Sequence, residues 1–487
     1  MFARIVALAV IVMVSPVVAD DVLPADQGAG RKLLAEGDKL ADKGEPTEAV
    51  LRYKKAFEQL LPSMRKLHFK HEVKRDVTAR KDLRAVILED LDDETTPGEF
   101  RGDELGMKAL GLLPRSLDLK ETMVRLYTEQ IAAFYDPKTK TMHLIKEEEA
   151  AKPKPSFLER LLGKTGGFDK DENKTVLAHE LTHALADQNF DLDAMQSKVR
   201  RDDDRQLALA ALIEGEATLT MMEAQAQDWD GNKFPKMPAA DVDAALRLMG
   251  PMLAVGGGPS LREAPPILSE SMIFPYFRGM VFCLSLTNRG GWDWVDEAYK
   301  NPPLSTEQVL HPEKYRGQPD PPTIVDLGPL DAGPGWSERG RNVVGEMQME
   351  VLLHSFRGKA AAAGWDGDRF AVFEGPDGKL GLVWSTTWDT EADAREFVHS
   401  YARFQTTKLG KDVPEPAVFP DSIRRPSAGA VYAIERHGLD VAIVEGFSSP
   451  ATESLLSAAL HAKKTEKTQE PTPEAVEALK KKKAGKN

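Results

Sequence analysis

Residues 179–188 read His-Glu-Leu-Thr-His-Ala-Leu-Ala-Asp-Gln. Two histidines four apart lie one above the other on a helix face, where both imidazoles can close on one ion with Zn–N distances of roughly 2.0–2.1 Å. Glu180 is turned by about 100° from His179. It can therefore reach a water on such an ion and take its proton, as a general base must. Leu177, Leu181, Ala184 and Leu185 form an apolar stripe away from both histidines, which anchors the helix in a core while His179 and His183 face a cleft. The bland alternative is an amphipathic helix with surface histidines. Histidine is scarce, 10 in 487 residues, so the HExxH spacing points to a metal site.

A catalytic zinc takes three protein ligands and keeps one position open. The following helix offers ALIEGEATLTMM at 211–222. Glu214 and Glu216 stand about 200° apart around a helix, so only one of them can face the ion. Both sit in an apolar run, where an unpaired carboxylate is costly. Glu214 is the preferred ligand and Glu216 the alternative.

HELTHALAD resembles the active-site helix of thermolysin-like zinc metallopeptidases, the gluzincin group. ALIEG is similar to the segment that supplies their third ligand, and to the Glu-Gly pair of zinc aminopeptidases. The resemblance covers two helices. It implies one zinc ion per chain held by His179, His183 and Glu214, with Glu180 as general base and Asp187 as the acidic residue that follows the motif. The chain departs from those enzymes in two ways: a longer stretch between His183 and Glu214, carrying SKVRRDDDRQ, and Thr218 where they place an aspartate that orients a ligand histidine. The implied reaction is hydrolysis of a peptide or protein substrate, zinc polarising the scissile carbonyl and lowering the pKa of its water to roughly 7 while Glu180 takes the proton. It also implies that the strand near Thr141 to Ile145 is a sheet edge on which an extended peptide lies. His311, in PPLSTEQVLHPEKY beside Tyr315, would donate to the oxyanion. The structural alternative for His311 is the end of a short helix that Ser305 and Gln308 cap. His143 is read as structural.

With 41% hydrophobic and 29% charged residues, the chain is globular, of two or three domains. A net charge of -13 argues against nucleic-acid binding through a basic surface. Residues 1–19 carry Arg4, an apolar run and Ala19, the pattern of a secretory signal, with an exported, periplasmic or extracellular protein expected. Its apolar run of about 15 residues, with Pro16, is short of the roughly 20 that a spanning helix needs, so no membrane span is expected after cleavage. Cys283 is the only cysteine, which leaves neither an internal disulfide nor a cysteine-rich structural zinc site. There is no P-loop, CxxC or GxSxG elbow.

A helical region is expected over 20–115, opening on a hairpin at 28–62 similar to one tetratricopeptide unit, with a later helix starting at Thr78. The zincin-like domain is expected over 116–320. It would hold a helix from Lys120, a β-hairpin about Asp136-Pro137, the motif helix from Lys174 to Asp187 and a second metal helix from Gln206 to Met222. Gly317 to Gly335 marks a boundary, followed by a small α+β domain over 335–462 and a disordered Lys-rich tail over 463–487. The expected fold is thus α+β, mainly helical, with a zincin-like core, a small sheet and two metal-binding helices. The competing class is a non-catalytic envelope protein with a structural or decayed zinc site, acting as an interaction module. An intact Glu180 argues against it, because a structural site needs no base.

Overall fold

The computed structural model describes residues 25–131, 133–146, 169–226, 229, 237–256, 258–410 and 420–471. The expected signal segment and the end of the chain lie outside the described residues. The fold is α+β and mainly helical.

Helices α1 (Ala25–Asp42) and α2 (Pro46–Arg65) form the expected hairpin. Then come strand β1 (Lys74–Ala79), helices α3 (Arg80–Glu94), α4 (Pro97–Leu110) and α5 (Leu119–Gln130), and the strands β2 (Ala133–Asp136) and β3 (Thr141–Lys146). The last two pair antiparallel across the turn that begins at Asp136-Pro137. The helical region expected over 20–115 also contains the strand β1, and Thr78 lies inside that strand instead of capping α3. Lys74–Ala79 has no apolar alternation. It becomes a strand through parallel pairing with β3, from Lys74 opposite Thr141 to Ala79 opposite Lys146. The sheet order is β1-β3-β2, so both sides of β3 are used. That corrects the second expectation: Thr141 to Ile145 is the central strand, and among the described residues the unpaired edge beside the motif helix belongs to β2.

The motif helix α6 (Lys170–Phe190) begins on Asp169, whose carboxylate accepts from the N–H groups of Asp171 and Glu172. It ends on Asp191, at a φ of 60°. After α7 (Leu192–Lys198) comes α8 (Asp203–Gln225), buried along almost its whole length. Next are α9 (Ala239–Gly256), α10 (Gly258–Glu263), α11 (Pro266–Gly290), α12 (Trp292–Lys300), and the short α13 (Thr306–Leu310) and α14 (Pro312–Tyr315). By length and composition α11 could cross a membrane, yet most of it is buried inside the protein, where it packs along α8. The two helices meet at glycines: a Cβ on Gly215 would lie 2.1 Å from the carbonyl carbon of Gly279, and one on Gly279 would lie 2.0 Å from the Ala211 carbonyl oxygen. A glycine follows Glu214 because another backbone occupies the space of its side chain.

The apolar stripe of α6 shares one core with Tyr53, Phe57, Leu60 and Leu61 of α2. Each fully buried Leu or Phe contributes roughly 1.5–3 kcal/mol, so the N-terminal hairpin is the seat of the motif helix and not a body separate from residues 116–320.

The C-terminal part runs β4 (Thr323–Asp326), β5 (Ser337–Asn342), α15 (Gly345–Leu352), α16 (Gly358–Ala362), β6 (Trp365–Glu374), β7 (Leu380–Trp388), α17 (Glu391–Lys408), β8 (Ser422–Ser427), β9 (Ala430–His437), β10 (Asp440–Phe447), α18 (Ser449–Leu460) and β11 (Lys463–Glu466). Six strands make an antiparallel sheet in the order β5-β6-β7-β10-β9-β8. Trp365, Trp384 and Trp388 on one face pack with Phe397 and Tyr401 of α17 and join the core of the helical region. Phe373, Val383, Val444 and Phe447 pack on the other face with α18. The tail expected from residue 463 is also corrected. β11 pairs with β4, Lys467 Nζ lies 2.8 Å from Asp202 Oδ2, and Arg205 donates to the carbonyls of Gln469 and Glu470. Few apolar residues hid this segment, because backbone pairing and charge hold it.

Candidate metal centre

Helices α6 and α8 run antiparallel, with Gln225 Nε2 donating to Thr175 Oγ1 (2.8 Å) at one end and Glu214 facing both motif histidines further along. His179 Nε2 lies 3.0 Å from His183 Nε2, and Glu214 Oε2 lies 3.1 Å and 3.3 Å from the two nitrogens. Ligand atoms on a tetrahedral zinc with bonds of 2.0–2.1 Å sit roughly 3.3–3.4 Å apart. The three atoms thus have the spacing of one slightly contracted face of such a tetrahedron. The imidazoles stand edge to face at 87°, and all three residues are buried. Two imidazole nitrogens this close need a proton or a cation between them. The donor set, two neutral nitrogens and a carboxylate oxygen, suits zinc. A second acidic group, Glu307, Asp320 and Asp389, already surrounds the ammonium of Lys314, 2.6 Å from Glu307 and 2.9 Å from Asp320.

The protons are distributed by burial and by Glu214. Burial pushes the His179 pKa down and holds the ring neutral. Burial opposes protonation of His183 as well, but the Glu214 carboxylate, helped by Glu180 and Glu216, raises it to about 9. Burial works against the Glu214 anion, yet His183 and His179 keep its pKa below the usual value. Glu180 is 1% exposed; burial pushes its carboxyl up to about 7, against His183 and the backbone N–H of Tyr135 on β2. Among the described residues its Oε2 has no hydrogen-bond partner. Asp187, two turns along α6, accepts from Tyr135 Oη (2.7 Å), Lys140 Nζ (2.9 Å) and the Leu192 N–H (3.0 Å). β2 and the turn after it are thereby held against α6 one turn beyond His183.

Of the two candidate glutamates, the structure brings Glu214 to the histidines. Glu216 is turned away and bound by Arg65 Nε and Tyr299 Oη. Arg65 is fully buried, reaches Asp296 at 2.8 Å and lies 4.2 Å over the Trp292 ring. His311 is not brought to the triad: its Nε2 lies 3.0 Å from Glu346 and its Nδ1 3.9 Å from Glu313. Its helix α13 is seated on the start of α8, where the Thr306 N–H donates to Asp204 (3.1 Å), ten residues and so about 15 Å of helix before Glu214. Ser305 caps α13 by accepting the Gln308 N–H (3.3 Å). Tyr315 Oη donates to the Asn301 carbonyl (2.8 Å). His143 stacks on Phe134 and lies 3.3 Å from Thr78 Oγ1.

Three neighbours of the site escape sequence reasoning. Tyr135 and Arg65 carry no motif, and Tyr276, whose ring centroid is 6.0 Å from that of His179, sits in an apolar helix where only the preceding Pro275 is unusual. Fold and site define an α+β protein with a buried two-histidine, one-glutamate cluster between adjacent helices. A family described as a domain of unknown function (DUF8575) matches residues 334–456, the C-terminal sheet from just before β5 into α18. The chain matches no curated protein and no solved structure.

Proposed function

We propose that the protein is a zinc-dependent peptidase of the zincin kind, with His179, His183 and Glu214 as ligands and Glu180 as general base. The observation that carries the reading is the triangle of buried donor atoms, 3.0 to 3.3 Å on a side, on helices whose motif carboxyl is buried beside it. An ion held there would act as a Lewis acid toward a carbonyl oxygen and toward water. Glu180 Oε2, buried and without a partner, is the atom that receives the proton and returns it to the leaving amine. Burial raises this carboxyl above its ordinary value, toward the range in which one group can both take and return a proton. The edge of β2 that no described strand pairs is the surface on which an extended peptide would add by backbone hydrogen bonds.

The test compares the wild type with Glu180→Gln for metal content and for cleavage of a mixed peptide library read by mass spectrometry. Equal zinc in both, with cleavage by the wild type alone, is the expected result. Zinc in both and cleavage by neither refutes the peptidase reading and leaves a structural ion. Absence of zinc from both refutes the ligand assignment.

A further inference from the structure

We infer that a cavity between the helical region and the C-terminal part binds one amphiphilic anion, an alkyl or acyl chain that ends in a phosphate or a carboxylate. The cavity has a volume of about 1150 Å³ and is lined from one side by α10 and the start of α11, and from the other by the end of α15, the turn after it, α16 and the end of α17. None of His179, Glu180, His183 and Glu214 lines it, so the inference stands apart from the metal reading. Ligand pockets gather at such junctions and measure roughly 300–1,000 Å³. A space of this size takes a molecule with a body, and an inorganic ion alone would leave most of it to water.

The charge of the ligand follows from the cations. Arg262 on α10 and Lys359 on α16 line the cavity from its two sides, and among the described residues neither makes an ion pair or a hydrogen bond. Burial and the neighbouring guanidiniums of Arg247 and Arg278 hold the Lys359 pKa below its ordinary value. Those two guanidiniums share the single carboxylate of Asp243, so positive charge is in surplus beside Lys359. The carboxyls in the lining do not cancel it, because burial pushes Glu270 and Glu350 up, closer to their neutral forms. A third cation, Arg357, stands at a φ of 61°, in the left-handed region that a residue other than glycine rarely adopts. The turn that carries it is pressed on α15, where a Cβ on Gly358 would lie 2.3 Å from the Glu350 carbonyl oxygen. Backbone of this kind collects at ligand sites.

The body of the ligand follows from Leu261, Val351 and Phe404, which line the same space. A neutral chain would cover them and leave Arg262 and Lys359 without a counter-charge, and a small anion would do the reverse. The exposed large apolar side chains of the described residues, Val77, Met237, Ile324 and Leu439, lie elsewhere. Nothing apolar on this rim is placed to enter a bilayer, and the occupant is a single detached amphiphile.

The test is calorimetric titration of the full chain with decyl phosphate below its micelle concentration, with decyl maltoside and inorganic phosphate as the neutral and the chainless probes. One decyl phosphate per chain is expected, with much weaker binding of the other two. Lys359→Glu and Arg262→Glu should each weaken it by about tenfold or more, while Lys55→Glu, the same charge change on an exposed face of α2, should not. All these positions are exposed, and wild-type melting curves would show that the variants fold. Absence of decyl phosphate binding overturns the inference, as does equal binding of decyl maltoside or of inorganic phosphate. Equal loss in Lys55→Glu also overturns it, since attraction to the whole surface then explains the binding. Retention on phosphatidylglycerol vesicles without binding of decyl phosphate replaces it with a membrane surface.

Discussion

Replacing Arg65 by methionine removes the guanidinium that pairs Glu216 and Asp296 beside the helix that carries Glu214. Arg65 is 0% exposed and Glu216 1%, so in the variant Glu216 stays buried with Tyr299 Oη as its remaining partner. Removing one member of a buried pair costs about 3–5 kcal/mol, most of it from the charge left behind. Asp296 is partly exposed and returns to solvent at little cost. The stack on Trp292 contributes about 0.5–2 kcal/mol more, which the apolar methionine offsets in part. Urea unfolding should therefore show Arg65→Met destabilised by about 3–5 kcal/mol. Arg65→Met with Glu216→Leu should recover most of the loss, since no buried charge remains. Glu216→Leu alone should cost less than Arg65→Met, because Arg65 keeps Asp296. A loss below about 1 kcal/mol, the size of a surface pair, or a double variant as unstable as Arg65→Met, would refute the reasoning.

Three further outcomes are expected. Gly215→Ala puts a methyl 2.1 Å from the Gly279 carbonyl carbon, so α8 and α11 must separate at a cost of roughly 1–3 kcal/mol; unfolding should show this loss and zinc titration a weaker site. Burial raises Asp204 to about 7 against the pull of Lys467, so the folded chain keeps a proton that a carboxyl at its ordinary value of 3.8 has released. That contribution is complete below the unfolded pKa and is lost as pH rises through the folded one. Asp204→Asn should thus flatten the fall in melting temperature between those pH values and be the more stable form at alkaline pH, and parallel curves would contradict this. His311→Ala should lower stability by about 1–3 kcal/mol through the stranded Glu346 and leave peptide hydrolysis unchanged; a drop in kcat of about 100-fold or more would return His311 to the oxyanion role.

The local parts of this protein were legible in its sequence. The motif helix, the helix carrying Glu214, the hairpin that turns at Asp136-Pro137 and the strand-rich C-terminal part announce themselves through side-chain period and turn residues, which depend on near neighbours alone. Strands β1 and β11 did not, because Lys74–Ala79 and Lys463–Glu466 have no apolar pattern and exist only by pairing with β3 and β4, far away in the chain. The central place of β3 follows from the same long-range pairing.

Helical geometry alone determined that one of Glu214 and Glu216 would face His179 and His183 and the other would not. Which one faces them was decided by tertiary structure: Arg65, at the end of a distant hairpin, takes Glu216 into a buried ion pair, and the close approach of α11 at Gly215 fixes the side from which Glu214 emerges. Tertiary packing likewise gave His311 to Glu346 and placed it away from the triad. The four-residue spacing of His179 and His183 is a property of one helix. The assignment of charges to partners depends on which helices meet, and residue order within one segment does not encode that.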